Sequence, residues 1–300
     1  MIAKSSTGMQ VKLCNRCGTK EHPELTDQSP PSPSAMGQMR EELGPLWRIA
    51  WPLLIAQTAQ IGTGVVDTLM AGNYGDTDLA AIAIGFNIWL PLYLIILGTL
   101  FACSAIVAQD FGAGRFERVR SFLPQGLWVA VVLSAMMTPL CLNSGAIIEL
   151  LELPSDTTAK TAAYVSRVGL GFPALGIFMS LRYHTQGLGV TAPFAIASVV
   201  GFLANVPLNY MLIFGAWGAP ELGAEGCGLA TAASMWLSTL IILLYVLSAD
   251  SLRQYLPERW LQAPDRQRIG EILAVGLPVG FTFFMETGVF SAITLLIATL

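Results

Sequence analysis

The chain alternates long apolar runs with short polar connectors from about residue 46 onward. A helix needs about 20 apolar residues to cross the hydrocarbon core of a bilayer, and most of these runs approach or exceed that length. The connectors are rich in Gly, Pro, Asn and Asp, which favour turns. We therefore predict seven membrane-spanning helices, over residues 46–71, 79–109, 121–142, 159–182, 192–215, 225–248 and 270 to at least 296.

Proline occurs inside most of these spans. It removes a backbone hydrogen bond from a helix, which a membrane protein tolerates where neighbouring helices or water satisfy the freed carbonyl. We expect bent helices around an internal cavity. The prolines concerned are Pro52, Pro91, Pro139, Pro173, Pro207 and Pro278.

Residues 1–43 differ from the rest of the chain in being polar, with the proline-rich sequence SPPSPSA near their end. Such a composition cannot bury enough apolar surface to order itself, so we predict a disordered tail. It lacks the continuous apolar run of a signal peptide. Cys14 and Cys17 form half of a zinc-binding pattern, with His22 nearby, but no second ligand pair follows. We expect no zinc site and assign these cysteines no role.

The composition agrees with a membrane protein, since 54% of the residues are hydrophobic and only 12% are charged. The net charge of −4 comes without a clustered basic face, which argues against a nucleic-acid partner. Cys103, Cys141 and Cys227 fall in or beside apolar runs, where cysteine behaves as a small hydrophobic residue. We expect no disulfides.

Lys and Arg concentrate in alternate connectors, and such connectors face the cytoplasm. We predict a cytoplasmic N-terminus and a seventh helix that ends outside; Lys160 and Arg167, near the outer end of the fourth span, are the exceptions. The cytoplasmic set is Lys4, Lys12, Arg16, Lys20, Arg40, Arg48, Arg115, Arg118, Arg120, Arg253, Arg259, Arg266 and Arg268.

Asp67 lies near the outer end of the first span. An ionisable group at bilayer depth costs at least about 2.5–3.5 kcal/mol, so we interpret Asp67 as a functional carboxylate that faces a polar cavity. The alternative is a carboxylate wetted at the headgroups.

Three other polar residues fall at a similar depth in the outer half of the membrane. Asn205 and Asn209 are four residues apart and project from one helix face, and Thr231 lies about 9 Å into the sixth span. With Asp67 they form a set of hard oxygen ligands that suits an alkali cation or an exchangeable proton. The alternative is simple hydrogen bonding between helices.

Glu286 is a second carboxylate within a span. It follows Pro278 by eight residues, as Gln60 follows Pro52, and the two surrounding sequences align without gaps. This similarity indicates that the seventh helix opens a second copy of a six-helix unit, the arrangement of many secondary transporters. The alternative for Glu286 is a neutral, hydrogen-bonded structural residue.

Several separated motifs, in the same order, resemble the multidrug and toxic compound extrusion (MATE) family, in particular its norfloxacin-efflux branch. The resemblance covers the chain from about residue 44 to its end. It implies a secondary antiporter of two six-helix lobes that exports cationic and amphipathic compounds in exchange for Na⁺ or H⁺. The motifs are GVVDTLMAG, AQDFGAGR, LRYHTQGLGVTAP, LANVPLNYMLIFG, PELGAEGCGLATA and FFMETGVF.

The resemblance also implies roles for particular residues. Asp67, Asn205, Asn209 and Thr231 correspond to the cation or proton site of the first lobe, and Glu286 to the acidic site residue of the second. Gln60 corresponds to a polar residue that lines the cavity of the first lobe.

On this basis we expect an all-α polytopic membrane protein with a six-helix N-lobe and the first helix of a truncated C-lobe. The expected segments are a tail over 1–43, the N-lobe over 44–248, a cytoplasmic linker over 249–269 and the C-lobe helix over 270–300. The chain ends within an apolar run, so we expect a truncated product, and the corresponding alternative is an inactive or partial fragment.

The expected activity is cation-coupled export of drug-like cations by alternating access, in a monomer of the bacterial inner membrane. We expect no cofactor and no metal beyond Na⁺ as a coupling ion. A flippase for lipid-linked precursors is an alternative, although it would need basic residues in the cavity and only Arg167 is available. We expect no enzymatic activity, because the spans contain no HExxH, GxS nucleophile turn or paired catalytic Asp motif.

Overall fold

A computed structural model describes residues 35–149, 152–260 and 262–298 of the chain. It divides into the units Met1–Leu43 and Gly44–Leu300, and everything below concerns the second unit. Residues 1–34 of the predicted disordered tail, including Cys14, Cys17 and His22, lie outside the described residues. Its last part, residues 35–43, is helical and forms the start of the first helix, which corrects the predicted boundary of the tail.

The described residues are helical apart from short turns, and no strand occurs among them. One short 3₁₀ turn, Ala216–Gly218, follows the seventh helix. The helices are α1 (Ala35–Tyr74), α2 (Asp76–Gly112), α3 (Phe116–Leu142), α4 (Gly145–Glu149), α5 (Ser155–Gly169), α6 (Phe172–Gly187), α7 (Ala192–Phe214), α8 (Ala224–Ser248), α9 (Asp250–Arg253) and α10 (Arg266–Ala298).

Six of these helices are long and apolar enough to cross a membrane, and α5 and α6 together form a seventh candidate. The all-α membrane fold predicted from the sequence is therefore confirmed. The outward faces suit lipid rather than water. On α3, for example, Val132 and Met136 are more than half exposed, which a bilayer accommodates without cost.

The fourth span is a correction to the sequence prediction. We expected one helix over 159–182, but the chain breaks after Gly169 and restarts at Phe172 with a bend of 43°. Pro173 lies in the first turn of α6, where its missing N–H costs nothing. A side chain at Gly171 would collide with Ala232 and Met235 of α8, so the break also allows α8 to approach. The other prolines within the described spans lie inside continuous helices.

Helix α2 is the centre of the bundle, since it packs against α3, α5, α6 and α10, while α7 packs mainly against α8. The buried side chains are large and apolar. Phe122, Phe172, Phe194, Tyr164 and Tyr183 are all at most 2% exposed. The three described cysteines, Cys103, Cys141 and Cys227, are buried and free.

The segment between α8 and α10 lies along α3. The amide of Gln125 donates to the Ala263 carbonyl at 3.2 Å and accepts the Asp265 N–H at 2.8 Å. The indole of Trp128 donates to the Gln262 carbonyl at 2.8 Å. The predicted linker is thus attached to the first bundle at this point.

Helices α2 and α10 cross at very short range. Gly276 and Gly280 are four residues apart on α10 and face the backbone of Thr99 on α2, and a side chain at either glycine would collide with it. Small residues at this spacing let membrane helices approach closely.

We expect Gly280→Leu to lower the melting temperature of the detergent-solubilised chain by several degrees. The new side chain would force α2 and α10 apart, and overpacking of this kind costs about 1–3 kcal/mol. Gly288→Leu is the matched control, because no described atom beyond the local helix lies within 4 Å of the position that a Cβ would occupy there. Equal melting temperatures for the two variants would contradict this account of the crossing.

Candidate functional site

Asp67 of α1 is 6% exposed and receives hydrogen bonds from two other helices. The amide of Asn209 on α7 donates to its Oδ1 at 2.5 Å, and the hydroxyl of Thr231 on α8 lies 3.2 Å from its Oδ2. These bonds hold α1, α7 and α8 together around one carboxylate.

The two asparagines of α7 share one helix face because they are four residues apart. The Asn209 amide also donates to the Oδ1 of Asn205 at 2.9 Å, and both side chains are fully buried. The hydrogen bond from Asn209 thus links Asn205 to the carboxylate of Asp67. Within the described part of the chain, the Oδ1 of Asn209 is buried and has no hydrogen-bond partner.

The hydroxyl of Thr231 is shared between two acceptors. It lies 3.0 Å from the Cys227 carbonyl, one turn earlier in α8, and 3.2 Å from Asp67. A hydroxyl carries one proton, so it donates to one of these oxygens at a time. Its own lone pairs remain available to a cation.

This cluster combines a buried carboxylate with neutral partners. In the described part of the chain no Lys or Arg forms an ion pair with Asp67. A buried negative charge without a counter-charge is costly, so a bound cation or a proton on the carboxylate would stabilise the site. The atoms that could hold a cation here are carboxylate, amide and hydroxyl oxygens, which are hard ligands. Across the described residues no three His, Cys, Asp or Glu side chains are grouped to hold a metal.

Asp67 and Thr231 also line a cavity of about 830 Å³, whereas Asn205 and Asn209 lie behind them and are absent from its lining. Gln60 is on the same wall, two turns before Asp67 on α1. The wall residues include Gln57, Gln60, Asp67, Phe86, Asn87, Trp89, Tyr93, Phe178, Ser198, Phe202, Thr231, Met235 and Ser238.

The aromatic wall of this cavity was missed in the sequence. Phe86, Trp89 and Tyr93 of α2 lie on one helix face, and Trp89 packs edge-on against both of the others. The Trp89 indole also lies 3.3 Å from the Tyr164 hydroxyl. The spacing of these three aromatic residues, at i, i+3 and i+7, is the signal that could have revealed the wall.

Glu286 is not part of this arrangement. It lies on α10 with an exposed side chain and does not line the cavity. Its predicted role in a second site therefore stays a prediction.

Comparisons with known proteins agree with the fold and the motifs. Residues 52–211 match the MatE family. The chain is 40% identical over 275 residues to the multidrug resistance protein PmpM of Pseudomonas aeruginosa, covering 91% of this chain and 57% of that protein. It is 39% identical over 266 residues to the multidrug resistance protein NorM of Aliivibrio fischeri, covering 88% of this chain and 58% of that protein.

Solved structures with a similar fold include the eukaryotic MATE transporter AtDTX14, with a TM-score of 0.77, 18% identity and coverage of 87% of this chain and 57% of that one. Another is the outward-facing conformation of a multidrug resistance MATE family transporter, with a TM-score of 0.72, 20% identity and coverage of 82% and 54%. The chain spans little more than half the length of the curated relatives it matches. The family match and the similarity to PmpM and NorM together show that this chain belongs to the MatE family.

Proposed function

We propose that this protein is a cation-coupled antiporter that exports cationic and amphipathic compounds. The observation that carries the proposal is the placement of Asp67: a buried carboxylate with only neutral hydrogen-bond partners, on the wall of a large, partly aromatic cavity. The names of PmpM and NorM, both multidrug resistance proteins, support the proposed substrate class.

The proposed coupling step occurs at Asp67, Asn205, Asn209 and Thr231. Na⁺ or H⁺ entering down its gradient binds the carboxylate and competes with the bonds from Asn209 and Thr231. Because those bonds connect α1 to α7 and α8, binding and release of the ion at Asp67 changes how firmly α1 is held against these two helices. An ion that binds one arrangement of α1 better than the other shifts the population between them, which is the basis of alternating access.

The proposed substrate site is the cavity beside Asp67. Aromatic faces attract cations by about 0.5–2 kcal/mol, and Phe86, Trp89 and Phe202 supply such faces. Met235 adds a flexible apolar surface that adapts to different shapes. Gln60 and Asn87 offer hydrogen bonds.

We propose Glu286 as the acidic site residue of the second lobe.

A flippase for lipid-linked precursors fits the cavity less well. Such a substrate carries phosphates and would need basic side chains on the cavity wall. Arg167 instead pairs with Glu225 at 2.6 Å and does not line the cavity. Lys160 pairs with Asp78 and Asp156. A partial, inactive fragment stays the other alternative, and the transport experiments below test it.

We further propose a cytoplasmic N-terminus in a bacterial inner membrane. Lys160 and Arg167, the exceptions to the charge pattern, are both paired with acidic residues, so neither adds a free positive charge to the proposed outer side.

We expect Asp67→Asn to reduce gradient-driven export from proteoliposomes by about 10-fold to 100-fold. Hydrogen bonds to a charged group are worth about 1.5–3 kcal/mol, and the neutral amide can neither bind a proton nor attract Na⁺ as the carboxylate does. Export of a fluorescent cation would be measured with a Na⁺ gradient and, separately, with a pH gradient. The exposed Asp76→Asn is the matched control. Undiminished coupled export by Asp67→Asn would refute the proposal.

We expect Phe86→Ala to weaken binding of a planar aromatic cation about twofold to fivefold, since the lost ring contributes about 0.5–1 kcal/mol. Binding would be followed by fluorescence with the purified chain. The control is Phe281→Ala, which removes a ring that is 59% exposed on α10 and outside the cavity lining. If both variants bind the cation equally well, the aromatic wall is not the substrate site.

The proposed orientation predicts which cysteines react from outside intact cells. In a background with Cys14 and Cys17 replaced by Ser, Asp76→Cys should react with a membrane-impermeant maleimide and Arg259→Cys should not. Both positions are exposed on the protein, so the side of the membrane on which each lies decides whether the impermeant maleimide reaches it. The opposite labelling pattern would reverse the proposed orientation.

A further inference from the structure

Asp78 forms a second buried junction, at the end of the bundle where α1 gives way to α2. Its carboxylate is 4% exposed and accepts the backbone N–H of Ala224 at 2.8 Å and the ammonium of Lys160 at 3.0 Å. Ala224 is the first residue of α8, and its preceding residue supplies no side-chain cap. The carboxylate therefore caps α8 and joins α2, α5 and α8.

The backbone before α8 is shaped to admit this carboxylate. Gly223 has a φ of +57°, a region that favours glycine. A side chain at Gly223 would also collide with the Asp78 carboxylate and the Tyr74 ring. The approach of Asp78 to the start of α8 thus depends on a glycine at this position.

This junction and the Asp67 cluster both engage α8, at two different levels, and Tyr74 of α1 borders the junction as well. Tyr74 follows Asp67 by seven residues on α1, and Ala224 precedes Thr231 by seven residues on α8. Each separation is two helical turns, or about 10 Å along the axis. Helix α1 runs towards the junction and α8 runs away from it, so the junction sets the axial position of Thr231 against Asp67.

The Asp67 cluster is sensitive to that position. The Thr231 hydroxyl lies 3.2 Å from Asp67, near the upper limit of a hydrogen bond, and it already has a second acceptor in Cys227. A displacement of α8 by about 1 Å along its axis would leave this hydroxyl with the Cys227 carbonyl alone.

We propose that Asp78 is a positioning residue for the ion-coupling cluster: by capping α8, it holds Thr231 at bonding distance from Asp67. This inference rests on the proposed function, because it assumes that Asp67 binds the coupling ion. Asp78 does not touch the cavity of the Asp67 cluster, so its effect on the ion passes through the position of α8.

A neighbouring ion pair provides a control that distinguishes capping of α8 by Asp78 from charge pairing between α5 and α8. Arg167 of α5 pairs with Glu225 of α8 at 2.7 Å, so it joins the same two helices as Lys160 and Asp78 do. It is more exposed, and among the described contacts it involves no backbone atom. Glu225→Gln therefore removes an α5–α8 ion pair and leaves the cap of α8 in place.

The experiment measures export from proteoliposomes as a function of the driving ion, with Na⁺ and with pH in separate series. For Asp78→Ala we expect the half-saturating concentration of the coupling ion to rise about fivefold or more, with equilibrium binding of the exported cation unchanged. Asp78→Asn keeps an oxygen that accepts the Ala224 N–H, so it should recover most of the wild-type value. Glu225→Gln should stay within about twofold of wild type.

Gly223→Ala is the second variant, and it tests the proposal if Asp78→Ala does not fold. It keeps every charge but pushes Asp78 away from α8, and it should raise the half-saturating concentration as Asp78→Ala does. The groups that face Asp78 in the pH series are Lys160 and Asp156 of α5, Tyr74 of α1, and Glu221 and Glu225 beside the start of α8.

Two outcomes would overturn the proposal. One is an unchanged ion dependence in Asp78→Ala and Gly223→Ala while only thermal stability falls. The other is an equal rise in Asp78→Asn and Glu225→Gln, which would assign the effect to charge. If either outcome is found and Asp67→Asn loses ion coupling, only the positioning role of Asp78 is refuted. If Asp67→Asn keeps ion coupling, the proposed function itself is refuted.

Discussion

The structure depends on the burial of one carboxyl group among neutral hydrogen-bond donors. Asp67 is surrounded by Asn209 and Thr231, which stabilise its carboxylate without neutralising it. A Lys or Arg in their place would satisfy the charge permanently and leave no reason for an external cation to bind. Because each donor comes from a different helix, the charge state of a single side chain is linked to the packing of α1 against α7 and α8. This is how a local electrostatic event can reach the whole bundle.

The rest of the bundle provides a rigid frame for that event. Helix α2 packs on four neighbours and contributes the aromatic side of the cavity, and its glycine-mediated crossing with α10 brings the two backbones into contact. Helix α1, by contrast, is the least buried of the candidate spans and is held in part by the hydrogen bonds of Asp67. In the proposed transport cycle, motion is therefore expected to concentrate at α1, where few apolar contacts have to be broken.

The sequence predicts the spans and much of the site because both depend on local rules. Hydrophobic length identifies the helices, and the cost of a carboxylate in a membrane singles out Asp67. The break after Gly169 was missed because the apolar run continues through it, and the close approach of α8 at Gly171 is a non-local contact. Asp78 was not singled out in the sequence for the same reason: its partners, Lys160 and Ala224, lie far away in the chain.

The way in which the segment between α8 and α10 is attached to α3 predicts which of its positions can change between homologues. The side chains of Arg120, Gln125 and Trp128 bind main-chain atoms of residues 254 and 262–265, and no side chain of that segment takes part in these bonds. These hydrogen bonds depend on the backbone path of the segment and not on its side chains, whereas substitutions on α3 would remove them. The segment also packs through side chains, since Leu252 is buried and the Tyr255 ring contacts two phenylalanine rings. Homologues should accordingly keep the three α3 positions, an apolar residue at 252 and an aromatic ring at 255, and vary more freely at the exposed positions of the segment.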